Sequence, residues 1–204
     1  MLCRVRGVGM SLGSRLPIAF IAPIVLAVAG CAASAGPEGA AAGAVVAPAS
    51  DAERLAVALA DADMAYAGRD RERLADALRR VDALGGKPMD GESPDLAQWR
   101  QAVAQNPPMR GRPLGPGFRS GRLSPGSSEL LEQVFLSGKR ASVALTAPNN
   151  ARLTLEVQDR REAEVCGREG NPSHCQWVPL FTDRYRIRIA NPGPAAVKYF
   201  LVVE

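Results

Sequence analysis

The sequence predicts an α+β protein: a small N-terminal helical hairpin/three-helix region followed by an antiparallel β-sandwich of about seven strands. Three observations carry that expectation. Apolar residues recur at helical spacing over residues 50–106. From residue 127 onward the apolar period changes to two. Turn signals then recur at short intervals, the pattern of a sandwich rather than of alternating strands and helices.

Residues 1–30 read as an export signal. Arg4, Arg6 and Arg15 stand before an apolar run from Leu16 to Gly30, and Glu38 is the first acid. A basic head, a short apolar middle and small residues at its end make a cleaved secretory segment. A membrane span needs about 20 apolar residues, and Pro17 and Pro23 interrupt this shorter run. Val28-Ala29-Gly30-Cys31 resembles the lipobox of bacterial lipoproteins. The resemblance implies cleavage before Cys31 and lipid on that thiol and on the new amino terminus. Because Ala32 rather than Asp follows, it also implies an outer-membrane lipoprotein facing the periplasm. Two or more acyl chains hold a protein durably at a bilayer. A start at Met10 would keep Arg15 as the basic head and lose Cys3.

Residues 31–49 supply the acylated cysteine and a tether of Ala, Gly and Pro with few large side chains, which cannot build a core. Fully extended, the tether reaches roughly 60 Å.

The helical region spans 50–106. Ser50 and Glu53 have capping-box spacing. Leu55, Leu59, Ala62 and Tyr66 form one stripe, and Leu74, Leu78, Val81 and Leu84 a second. Glu53–Leu59 and Glu72–Leu78 match at six of seven places, a related pair of helices. Ser93-Pro94 opens a third helix with Leu96, Trp99 and Val103 on one face. So few large side chains do not offset the ordering entropy of this region, at about 1–2 kcal/mol per residue. The helices are therefore expected to dock on another surface, for which the C-terminal module, via Trp99, is the nearest candidate; whether they pack on the sandwich is left open by the sequence. Residues 107–126 are rich in Gly, Pro and Arg and are expected to be an irregular connector.

In the sandwich region, 127–204, Ala141, Val143 and Leu145 share a face, as do Leu153, Leu155 and Val157. Tyr185, Ile187 and Ile189 are expected to face inward and Arg184, Arg186 and Arg188 outward. Val197, Tyr199, Leu201 and Val203 alternate with Phe200 and Val202, so the last strand is apolar on both faces and belongs inside a sheet. Weaker strands are expected at 129–136, 162–166 and 176–179, with a turn at 167–173.

Composition narrows the function. Three of the 25 basic residues and none of the 21 acids precede Cys31, leaving 22 against 21 after processing. Nucleic-acid binding by bulk charge loses its support. Cys166 and Cys175 are the only cysteines left once Cys31 is acylated and Cys3 removed, so they are expected to pair as a disulfide. A zinc site with His174 would lack a fourth ligand. His174 is the only histidine and the only imidazole base a Ser-His-Asp or Cys-His mechanism could use. It reads as an exposed loop residue, and no catalytic residue, metal or cofactor is assigned. Asp61, Asp63 and Glu72 fit the first, third and twelfth places of a calcium loop, but Ala65 and Tyr66 occupy places that need a ligand and a glycine. Arg184, Arg186 and Arg188 form a candidate anion-binding surface, to which Arg110, Arg112, Arg119 and Arg122 of the connector add charge.

Phe135-Leu136-Ser137-Gly138-Lys139-Arg140-Ala141, the cysteine pair and Tyr185-Arg186-Ile187-Arg188-Ile189-Ala190-Asn191-Pro192-Gly193 before an aromatic strand resemble the bacterial pre-peptidase C-terminal domain, over residues 114–204. The resemblance implies a small β-sandwich with an accessory, non-catalytic role. The sequence thus leads to a membrane-anchored envelope lipoprotein that has a structural or binding role. Its expected contacts are membrane lipid through Cys31 and an envelope protein or anionic polymer. The alternative is an accessory subunit or regulator of an exported hydrolase or peptidase.

Overall fold

The period-two segments pair into two sheets, and the helical stripes find their partner on one of them. The computed structural model describes residues 49–104 and 115–204. Residues 1–48, where the export signal, Cys31 and the tether are expected, and residues 105–114 of the expected connector lie outside the described residues. All described elements belong to one unit, Val46–Glu204.

Three helices come first: α1 (Asp51–Ala67), α2 (Arg71–Ala83) and α3 (Pro94–Ala102). Each begins where a side chain accepts an otherwise open N–H. Ser50 accepts from Glu53, Asp70 from Arg73 and Ser93 from Leu96. A first sheet has the order β1 (Lys87–Pro88), β2 (Gly117–Leu123), β9 (Val197–Val203), β4 (Ala141–Thr146), β7 (Ser173–Trp177). A second has the order β3 (Ser128–Phe135), β8 (Asp183–Ala190), β5 (Leu153–Gln158), β6 (Glu164–Gly170). Pairing is antiparallel throughout, except between β1 and β2.

The first sheet is the middle of three layers. Val143, Leu145 and Leu201 pack with Leu155, Ile187 and Ile189 of the second sheet. Ala144, Phe200 and Val202, on the opposite face, pack with Leu55, Leu59, Leu78 and Trp99 of the helices. Every residue of β4 is buried, as expected for a strand covered on both sides. The helices pack on this sheet, and Trp99, the candidate contact, has its ring 5.9 Å from that of Phe200. Lys198 reinforces the seam by pairing with Asp63 on α1 at 2.6 Å and Asp95 on α3 at 3.0 Å.

In strand and turn placement, two expectations differ from the structure. Gly117–Leu123 is a strand, although it falls in the stretch expected to be irregular. Strand β9 supplies a full row of pairing partners, and burial against it outweighs poor local propensity. Gly121 also has a role there: a Cβ at that position would lie 2.5 Å from the Tyr199 hydroxyl. The second difference concerns 167–173. Strand β6 runs on to Gly170, and β7 begins at Ser173 in the other sheet. The Cys166–Cys175 disulfide, with Cα atoms 5.9 Å apart, therefore ties one sheet to the other instead of closing a turn between paired strands.

Candidate functional site

The predicted arginine surface is built by strand alternation on β8. Tyr185, Ile187 and Ile189 are buried, which turns Arg184, Arg186 and Arg188 to the outer face of the second sheet. Register places Leu130, Glu132 and Val134 of β3 on one side of them, and Glu156 and Gln158 of β5 on the other. Arg184 pairs with Glu132 at 2.9 Å and Arg186 with Glu162 at 2.6 Å. Arg188 has no ion pair among the described residues and stands exposed opposite Leu130 and Glu156. Exposed pairs contribute about 0–1 kcal/mol, so Glu132 and Glu162 hold these two guanidiniums only weakly. Of the connector arginines, Arg119 is engaged by Asp90 at 3.3 Å and Glu129 at 3.2 Å.

His174 is not in a loop. It lies on β7, and the register sets it opposite Ala144 on the helix-facing side of the middle sheet. Its Nε2 is 2.9 Å from the Ser142 hydroxyl and 3.1 Å from that of Ser50, and those two hydroxyls are 3.1 Å apart. The Glu53 carboxylate is 3.8 Å from Nδ1. Serine, imidazole and carboxylate are thus brought together by residues 124 positions apart in the chain. Ser142, however, is only 1% exposed, covered by α1, so its hydroxyl offers no surface to a substrate carbonyl. Ser50 also accepts the Glu53 N–H as the cap of α1. The cluster satisfies polar groups where the start of α1 meets the middle sheet.

The other metal-ligating candidates are dispersed. Cys166 and Cys175 are joined to each other, which removes both thiols from His174. Asp61 and Asp63 lie on α1, paired with Arg80 at 2.9 Å and Lys198 at 2.6 Å. Among the described residues no group of three His, Cys, Asp or Glu side chains is placed to hold a metal ion.

Between the two sheets, the Tyr199 hydroxyl donates to Glu129 at 2.7 Å, and Glu129 pairs with Arg119. Burial raises the Tyr199 hydroxyl above its ordinary pKa of 10.0, and the bond to Glu129 and its charge raise it further.

The fold defines an α+β protein in which three helices cover one face of a β-sandwich. No protein-family model matches the chain, and no curated protein matches its sequence. Among solved structures the chain is similar to a mitogen from Yersinia pseudotuberculosis, at 13% identity and a TM-score of 0.38, over 44% of this chain and 84% of that one. It is similar to a periplasmic inhibitor of g-type lysozyme from Aeromonas hydrophila, at 14% identity and a TM-score of 0.37, over 44% of this chain and 84% of that one. It is also similar to the pre-peptidase C-terminal domain of a Bacillus anthracis collagenase, at 12% identity and a TM-score of 0.36, over 43% of this chain and 87% of that one. Likenesses this distant carry no functional argument.

The residues missed in the sequence are the partners of His174. Ser50 showed only its capping pattern and Ser142 only its place in an alternating strand. Their meeting depends on helix docking, which local patterns do not encode.

Proposed function

We propose that the mature protein is an envelope lipoprotein, held to a membrane by lipid on Cys31, with a non-catalytic structural or binding role. The observation that carries this reading is the basic head, short apolar run and Val28-Ala29-Gly30-Cys31 sequence. The Cys166–Cys175 bridge supports it, since such cross-links persist in oxidising compartments. The engagement of His174 with hydroxyls under α1 supports a non-catalytic role. The exposed guanidiniums of β8 make an anionic envelope polymer a fitting ligand. Labelling of growing cells with a palmitate analogue tests the anchor. Label should enter the wild-type protein and be lost in Cys31→Ser. An unlabelled wild-type protein, or label retained by Cys31→Ser, overturns it.

A further inference from the structure

One end of the sandwich exposes apolar side chains that the fold does not use. Leu180 and Phe181, in the loop between β7 and β8, are 84% and 77% exposed. Val178, in the same loop, and Leu136, at the end of β3, are each 57% exposed. The two segments form one tip. The Gly138 N–H donates to the Pro179 carbonyl at 2.9 Å, and the Ser137 N–H to the Thr182 hydroxyl at 3.0 Å. Single exposed apolar residues are ordinary, but four on two hydrogen-bonded loops form a patch.

Two further observations say what covers it. Lys139 and Arg140, in the same turn as Leu136, are exposed and have no ion pair among the described residues. The nearby acids are largely engaged. Asp183 pairs with Arg160 at 3.7 Å, and Asp159 accepts from the N–H groups of Arg161 and Ala163. Glu204, bonded through its backbone to Ser142, and Glu164, beside Gln158 at the edge of the second sheet, are carboxylates left exposed at that end. Second, the chain enters the body at this end. Ser50, the cap of α1, bonds Ser142, one residue into β4 from the turn that carries Lys139 and Arg140. A projecting apolar loop with two cations, unpaired among the described residues, in the turn bonded to it fits a lipid surface with anionic headgroups, where apolar burial and Coulomb attraction add.

We propose that this tip, centred on Leu180 and Phe181, enters the headgroup region of an anionic lipid leaflet. The proposal deepens the lipoprotein reading and rests on it for the membrane's presence. The tip makes a second contact, beside the point where the tether joins the body, so the protein lies with this end on the membrane. The basic side chains lie over phosphate groups while Leu180 and Phe181 reach the acyl boundary.

The test uses residues 31–204 carrying Cys31→Ser, which retains the whole Val46–Glu204 unit and removes the lipid. Binding is measured by co-sedimentation with phosphatidylcholine vesicles, with and without phosphatidylglycerol. Tryptophan emission is followed with lipids brominated on their acyl chains in a Trp99→Phe background, which leaves Trp177, next to Val178, as the reporter. The unmodified tip should bind phosphatidylglycerol vesicles, weaken with added salt and show quenched Trp177. Leu180→Ser/Phe181→Ser should lose about tenfold or more in affinity. Lys139→Ser/Arg140→Ser should flatten the salt dependence. An unchanged circular-dichroism spectrum and melting temperature establish that both variants fold. Absence of vesicle binding, or equal binding by the Leu180/Phe181 variant, overturns the proposal. So does a dimer that this variant breaks while vesicle binding stays the same, which assigns the tip to a second copy of the chain. Palmitate labelling reads the anchor and vesicle binding reads the tip, so either fails without the other.

Discussion

The two ends of the sandwich solve opposite problems. At the end where β8 finishes, Asn191 is buried and its amide is used completely. Its Nδ2 donates to the carbonyls of Leu123 at 3.2 Å, Ser124 at 3.2 Å and Ala195 at 2.7 Å, while Oδ1 accepts from the Gly193 N–H at 3.0 Å. One buried polar side chain ties its own loop, through Gly193 and Ala195, to the segment after β2 at Leu123 and Ser124. At the other end, Leu180 and Phe181 stand in water, and the Trp177 Nε1 is buried without a hydrogen-bond partner among the described residues. One end spends its polar groups on closing the fold. The other leaves apolar surface unspent, which is where an outside partner has something to gain.

The contrast breaks most readily at Asn191. Asn191→Ala removes the donor from three carbonyls at once, and a buried acceptor left open costs about 1–3 kcal/mol. We expect a loss of about 3 kcal/mol in urea denaturation. A loss under about 1 kcal/mol would mean that water replaces the amide and that this end is not dry.

Tyr199 sharpens the same comparison with a smaller effect, since its hydroxyl and Glu129 close the core near the Asn191 end. Folding holds the hydroxyl neutral above 10.0, where the unfolded chain ionises. Its contribution is therefore complete below pH 10.0 and is lost as pH rises beyond that value. Tyr199→Phe should cost about 1–2 kcal/mol at neutral pH, through the lost bond to a charged acceptor. The gap between variant and wild type should narrow in denaturation series carried above pH 10.0. A gap that stays constant with pH would show that the ionised ring is tolerated in the core.

What the sequence revealed follows the same division between local and distant causes. The outward arginines of β8 and the two-faced β9 were readable because side-chain alternation is a local rule. The cysteine pair was readable from the cysteine count and an expected export signal, but its span between sheets was not, because sheet membership is decided by distant strands. Strand β2 hid in a Gly- and Pro-rich stretch, since its stability comes from β9 rather than from its own residues. His174 looked like a loop residue because Gly, Asn and Pro precede it, and its hydroxyl partners come from residues 50 and 142. The tip was hidden for a different reason. Leu180 and Phe181 look like core residues, and only the folded sheet edges show that no core remains for them.

That last point yields the smallest expected effect on stability and the most discriminating one. Residues 77–84% exposed gain little burial on folding, so their removal forfeits little transfer free energy. The backbone bonds that hold the tip, from Gly138 to Pro179 and from Ser137 to Thr182, involve neither side chain and survive the change. Leu180→Ser/Phe181→Ser should therefore leave the denaturation midpoint within about 0.5 kcal/mol of wild type, against about 3 kcal/mol for Asn191→Ala. A double variant that lost about 2 kcal/mol or more would place these side chains in a core. The tip would then no longer be spare surface. With stability held level, any change that the substitutions cause in solubility, self-association or membrane recovery reports on an external partner, because the fold itself has nothing at stake there.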